Sequence, residues 1–141
     1  EGIVPGGGIA LMKASEMVEL YSENFENREQ IEGANLILKA CKAPFRAIME
    51  NAGLNSEVIW NNIYESRPDI ETEAASKNYG YDARNEKYVN MVTVGIIDPL
   101  KVTRVALEKA VSVAGTMLTT ECIVTKQKGD KDVMPQMPGM M

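Results

Sequence analysis

The chain has 141 residues, a net charge of −5, 45% hydrophobic side chains and no histidine, which allows one domain with a packed core. The missing histidine excludes His-based zinc sites, His general bases and His-containing triads, and the acidic balance argues against nucleic acid as a partner. No apolar run nears the ~20 residues that span a bilayer and no signal pattern opens the chain, so a cytoplasmic protein with no membrane partner is expected.

The first twelve residues, EGIVPGGGIALM, set three consecutive glycines before a helical pattern. Such a run can present unpaired N–H groups and the positive end of a helix to an anion. The Walker pattern fails, because Ile9 and Ala10 stand where it requires Lys and Ser or Thr. The dinucleotide fingerprint also fails, for want of spaced glycines and a downstream acid. A tightly packed helix start and a nucleotide contact of another kind both stay open. With no initiator Met, Glu1-Gly2 reads as the interior of a longer protein.

Ala10, Ala14, Met17 and Tyr21 predict an amphipathic helix ending near Asn24, with Lys13, Glu16 and Glu19 on its other faces. A second stripe, Ile31, Ala34, Leu38 and Cys41, is expected to stop at Pro44, which would open a third helix carrying Phe45, Ile48, Met49 and Ala52. Gly53-Leu54 suits a helix C-terminus, and Asn55 or Ser56 an N-cap for a fourth helix with Val58, Ile59 and Ile63 inward. Trp60 reads as core or partly buried edge. Residues 66–77 read as a solvated loop with a helical turn near Thr72 to Ala75.

Tyr79-Gly80-Tyr81 and Tyr88-Val89 predict a small hairpin around Asp82-Ala83-Arg84-Asn85. Asp98-Pro99 reads as N-cap and first position of the longest helix, whose apolar positions Val102, Ala106, Ala110, Val113 and Met117 suit the middle of a helical layer. The β-prone run Glu121 to Thr125 is solitary, so it needs the hairpin, another part of the protein or another subunit as partner. Cys41 and Cys122 lie far apart and read as free, buried thiols in a reducing compartment. The tail from Gly129 to Met141 is expected to be disordered, its Met134, Met137, Met140 and Met141 either inert or an adaptable apolar surface.

Four stretches, EGIVPGGGIAL at the start, NYGYDA at 78–83, GIIDPLKVTRVAL at 95–107 and SVAGTMLTTECIVT at 112–125, together resemble the C-terminal equatorial segment of group I, GroEL-type chaperonins. The resemblance implies a mainly α, multi-helix portion of the equatorial domain over residues 1–125, with a small β-hairpin and one short C-terminal strand. It also implies a flexible Met/Pro/Gly-rich tail over 126–141. The activity implied is that of an ATP-dependent molecular chaperone assisting protein folding. Its implied partners are identical subunits in two stacked heptameric rings, a lid co-chaperonin and unfolded polypeptide clients.

The implied ligand is ATP or ADP, with Mg and K ions held mostly by residues outside this segment. Carried over residue by residue, the resemblance assigns Gly7 to a backbone contact with the nucleotide and Asp98 to the ribose hydroxyls, which a carboxylate can accept in pairs. Asp82, Ala83 and Arg84 match the turn along the adenine, and Ile96 an apolar wall of the base pocket. Asp82 stands where the family carries asparagine and Arg84 where it carries a small residue. No catalytic or metal-binding residue is assigned, because the family's phosphate loop, Asp-Gly-Thr-Thr-Thr, and its catalytic aspartate are absent here. The segment alone is therefore expected to be inactive as an ATPase. The other reading is a non-enzymatic helical interaction module derived from a chaperonin scaffold.

Overall fold

The computed structural model describes residues 1–21, 25, 27–66 and 73–125. In chain order the elements are β1 (Ile3–Pro5), α1 (Ile9–Tyr21), α2 (Arg28–Asn51), α3 (Ser56–Glu65), α4 (Glu73–Asn78), β2 (Tyr79–Asp82), β3 (Lys87–Asn90), β4 (Ile97–Pro99) and α5 (Leu100–Leu118). The mainly α class read from the sequence is the class observed. Its strands form two antiparallel pairs, β1 with β4 and β2 with β3. The expected helix end near Asn24, the centre of the 66–77 loop and the 126–141 tail lie outside the described residues. Among the described residues no helix is long and apolar enough to cross a membrane.

Local chemistry explains several boundaries. Asn55 caps α3, its Oδ1 accepting from the N–H groups of Glu57 and Val58 at 3.0 and 3.2 Å. At the end of α2, Gly53 takes φ +74°. The Leu54 N–H then donates to the Met49 carbonyl and the Gly53 N–H to that of Glu50, both at 2.9 Å, so two orphan carbonyls are satisfied as the chain turns away. The hairpin forms as expected, with Tyr81 opposite Tyr88 and Asp82 opposite Lys87.

Pro44 does not divide the second and third stripes; α2 runs through it as one helix. The buried residues Leu38, Cys41, Phe45 and Met49 form one continuous stripe across the proline, so both halves bury the same face. Burial of each large side chain gives about 1.5–3 kcal/mol, against a penalty of ~3 kcal/mol for an interior proline. Pro44 is exposed, and so is Ala40, whose carbonyl loses its partner and can bond water.

The buried face of α1 is also not the expected one. Ile9, Met12 and Ser15 point inward, whereas Ala14 and Met17 are exposed. Ser15 tolerates burial because its hydroxyl donates to the Met12 carbonyl at 2.6 Å. In α3, Ile59 and Ile63 are buried but Val58 is exposed.

The core gathers Ile9, Met12, Phe45, Met49, Ile59, Ile63, Tyr81 and Met91, with Trp60 partly buried against it. Trp60 meets Phe45 edge-on at a centroid separation of 5.8 Å. Lys13, read as a solvent-facing charge, donates to the carbonyls of Ser76, Lys77 and Tyr79 at 2.5, 2.9 and 2.8 Å. Its ammonium thus caps the negative end of α4 and ties the start of β2 to α1.

Helix α5 has no buried residue, and Leu118 is 80% exposed. The helical layer its pattern predicts is not completed by the described residues. Residues 121–125 take no strand, are exposed and join neither described strand pair. Both cysteines are free, but only Cys41 is buried; Cys122 is exposed.

Candidate functional site

The glycine run is fixed by the segment that precedes α5. In the β1–β4 pair Val4 lies opposite Asp98 and Pro5 opposite Ile97. The Gly6 N–H then donates to the Ile96 carbonyl at 2.9 Å, and the Gly6 carbonyl accepts from Ile9 at 3.2 Å as α1 begins. Gly8, at φ +78°, allows α1 to start against α2: a Cβ there would lie 2.6 Å from the Phe45 backbone nitrogen. Gly7, at φ +65°, is half-buried, and a Cβ there would approach Met91 Cε at 3.2 Å. The tight helix start is therefore the work of Gly8, and Gly7 is the middle residue, which carries no side chain of its own and leaves room for Met91.

Met91 positions the other wall. Its N–H donates to the Asn78 carbonyl and its carbonyl accepts from Ile96, both at 2.8 Å. The intervening turn sets Val94 and Ile96 beside the hairpin. Between them is an open cleft of about 530 Å³ lined by Asp82, Arg84, Asn85, Lys87, Val89, Val94 and Ile96.

Of the sequence-predicted residues, Asp82, Arg84 and Ile96 meet in this cleft, while Ala83 packs partly buried against the core. Gly7 and Asp98 are not in its lining but lie at the β1–β4 end, next to the Gly6–Ile96 bond. Asn85, Lys87, Val89 and Val94 were missed. Lys87 and Val89 alternate with Tyr88 along β3, so the period-two pattern puts them on the face of Asp82, a signal available in the sequence. Val94 carries no such signal.

The two acids differ. Asp82 is engaged in its own turn: Oδ1 accepts from the N–H groups of Arg84 and Asn85 at 2.9 and 3.3 Å, and Oδ2 from Asn85 Nδ2 at 2.7 Å. The Asn85 side-chain bond, followed by the two backbone bonds and the Arg84 charge, holds its carboxyl below the usual range. Asp98 was expected to cap α5 and does not. The N-cap is Pro99, without a side-chain cap bond, because β4 extends through Asp98 and the helix begins only at Leu100. Among the described residues its exposed carboxylate makes no hydrogen bond or ion pair.

The chain's first residues are clamped from the same side. Leu100 N–H donates to the Gly2 carbonyl at 3.1 Å, and Arg104 reaches Glu1 through Nε and Nη2 at 3.1 and 2.7 Å. That bidentate pair lowers the Glu1 carboxyl from its ordinary value. Among the described residues no group of three Cys, Asp or Glu could hold a metal ion.

This arrangement of helices and strand pairs is a chaperonin fold. It matches the crystal structure of a group III chaperonin in the open state with a TM-score of 0.74 and 27% identity, over 87% of this chain and 24% of that one. The open-state monomer of a group II chaperonin from Methanococcoides burtonii matches in fold at a TM-score of 0.72 and 23% identity, over 84% of this chain and 28% of that one. The sequence profile of the TCP-1/cpn60 chaperonin family matches residues 1–128, and the chain belongs to that family. It spans about a quarter of the length of these solved chains.

Proposed function

We propose that the chain is the C-terminal part of the equatorial domain of a group I chaperonin, an ATP-dependent molecular chaperone that assists protein folding in the cytoplasm. Residues 1–125 form the domain part and 126–141 the tail. This segment supplies the ribose and adenine side of the ATP site, together with ring contacts. Identical subunits in two stacked heptamers, a lid co-chaperonin and unfolded polypeptides are the partners of the full-length protein. Family membership supports the chaperone reading.

The observation that carries the site is Asp98, an exposed carboxylate released from helix capping and held by β4 beside the glycine run. An acid in that state can accept two adjacent hydroxyls. Gly7 offers a half-buried backbone without a side chain of its own to the nucleotide, Ile96 an apolar wall, and the 82–84 turn an edge along the base. Bound ATP supplies the phosphoryl group whose hydrolysis drives the chaperone cycle. The ligands for phosphate and for Mg and K ions belong to other parts of the full-length protein, so the segment alone is inactive.

Asp98→Ala in the full-length chaperonin tests the site. Loss of a charge-assisted bond of ~1.5–3 kcal/mol weakens ATP binding by about tenfold or more, read by isothermal titration. Unchanged affinity refutes the assignment.

A further inference from the structure

The polar lining of the cleft is unbalanced toward donors. Asp82, its one acid, is occupied by three hydrogen bonds inside the turn, and the Asn85 amide nitrogen is the donor of one of them. Arg84 and Lys87 are exposed, and among the described residues neither side chain makes a hydrogen bond or ion pair. Arg84 brings five N–H donors in a planar fork and Lys87 three. The side-chain acceptors left in the lining are the Asn85 carbonyl oxygen and one lone pair of Asp82 Oδ2, against the eight N–H donors of the two cations. Strand register sets Lys87 across from Asp82 on the face it shares with Val89. Arg84 projects from the turn beyond, so the two cations flank an apolar wall of Val89, Val94 and Ile96.

A planar base fits against such a wall, and the cations then decide which edge is satisfied. Adenine offers N7 as acceptor beside a 6-amino donor, which a guanidinium or ammonium cannot satisfy. Guanine and hypoxanthine offer two adjacent acceptors, O6 and N7, which match the guanidinium fork. On the reading that this cleft holds the nucleotide base, we infer that it accepts 6-oxopurine nucleotides as well as ATP, and that Arg84, seconded by Lys87, is the residue that admits them.

The test is equilibrium titration of the full-length chaperonin carrying this chain with ATP, GTP and ITP. GTP and ITP bind within about tenfold of ATP, and Arg84→Ala weakens both by about tenfold more than it weakens ATP, whereas equal weakening of all three overturns the role of Arg84. Alanine keeps the backbone N–H that Asp82 accepts, so the turn survives the substitution. Lys87→Met gives a smaller loss in the same direction.

GTP and ITP binding more than about 100-fold weaker than ATP, with Asp98→Ala still weakening ATP, overturns the inference and leaves the ATP site standing. GTP binding without ITP binding moves the recognition to the 2-amino group and overturns the role of Arg84. Absence of binding by all three nucleotides overturns both the inference and the site.

Discussion

Gly8 is the position where the smallest change has the largest expected consequence. Alanine there meets two obstacles. At φ +78° an L side chain is strained, by about 1–2 kcal/mol. Its Cβ would also lie 2.6 Å from the nitrogen and 2.8 Å from the Cα of Phe45. Those atoms are helix backbone and cannot rotate aside, so α1 and α2 must separate around a residue that is 1% exposed. Overpacking of this kind costs ~1–3 kcal/mol. The sum is roughly 3 kcal/mol, a large share of the 5–15 kcal/mol that holds a typical domain.

Two other glycines isolate the components. Gly53 has φ +74° but nothing within 4 Å of an added Cβ, so Gly53→Ala keeps only the strain, about 1 kcal/mol, partly offset by a stiffer unfolded chain. Gly33 sits inside α2 with open space around it, so Gly33→Ala stabilises by about 0.5–1 kcal/mol. Urea unfolding of the 141-residue chain, followed by the fluorescence of Trp60, its one tryptophan, ranks the three. A Gly8→Ala loss no larger than that of Gly53→Ala would refute the close approach of α1 to α2.

Lys13→Met keeps the aliphatic stem but removes the ammonium from three carbonyls, at a cost of about 1–2 kcal/mol. Hydrogen exchange should quicken at the amides of α4 and β2 while those of α3 stay protected, and uniform loss of protection would contradict a local cap. Asp82 has a lowered folded pKa, so its contribution is present above the unfolded value of ~3.9 and is lost as pH falls through the folded value. The amide shifts of Arg84 and Asn85 should therefore titrate with a midpoint below ~3.9, and Asp82→Asn should abolish the titration; a midpoint at or above that value rules out the turn geometry. The nucleotide-affinity predictions for Asp98→Ala and Arg84→Ala complete the set.

What the sequence made legible was chemistry decided within a few residues. Asn55 as cap, Gly53-Leu54 as terminator and the hairpin around 82–85 depend on local donors, acceptors and φ, and each is found where it was expected. Errors arose where distant packing chose among local options. Pro44 is a breaker in isolation, yet the alignment of Phe45 and Met49 with Leu38 and Cys41 outweighs the lost bond. Apolar residues surround much of α1, so periodicity could not select its inward face, and a self-satisfied serine took a buried place. Asp98 had the composition of a cap but was recruited one residue early into a strand by Val4, 94 positions away in sequence. Of the candidate site, the hairpin turn was readable. The donor-rich lining was not, because it emerges only when the turn engages the Asp82 carboxylate in three hydrogen bonds.

The clamp between Arg104 and Glu1 joins residues 103 positions apart. During synthesis at ~5–20 residues per second, about 5–20 s pass between the emergence of the glycine run and that of the segment that pairs with it. Until then β1 lacks the strand partner it has among the described residues, although α1, α2 and α3 can already pack. The wall proposed to receive the nucleotide thus assembles only after the helices α1 to α3 and the hairpin have been made, which keeps the nascent chain from closing on ligand before β4 has emerged.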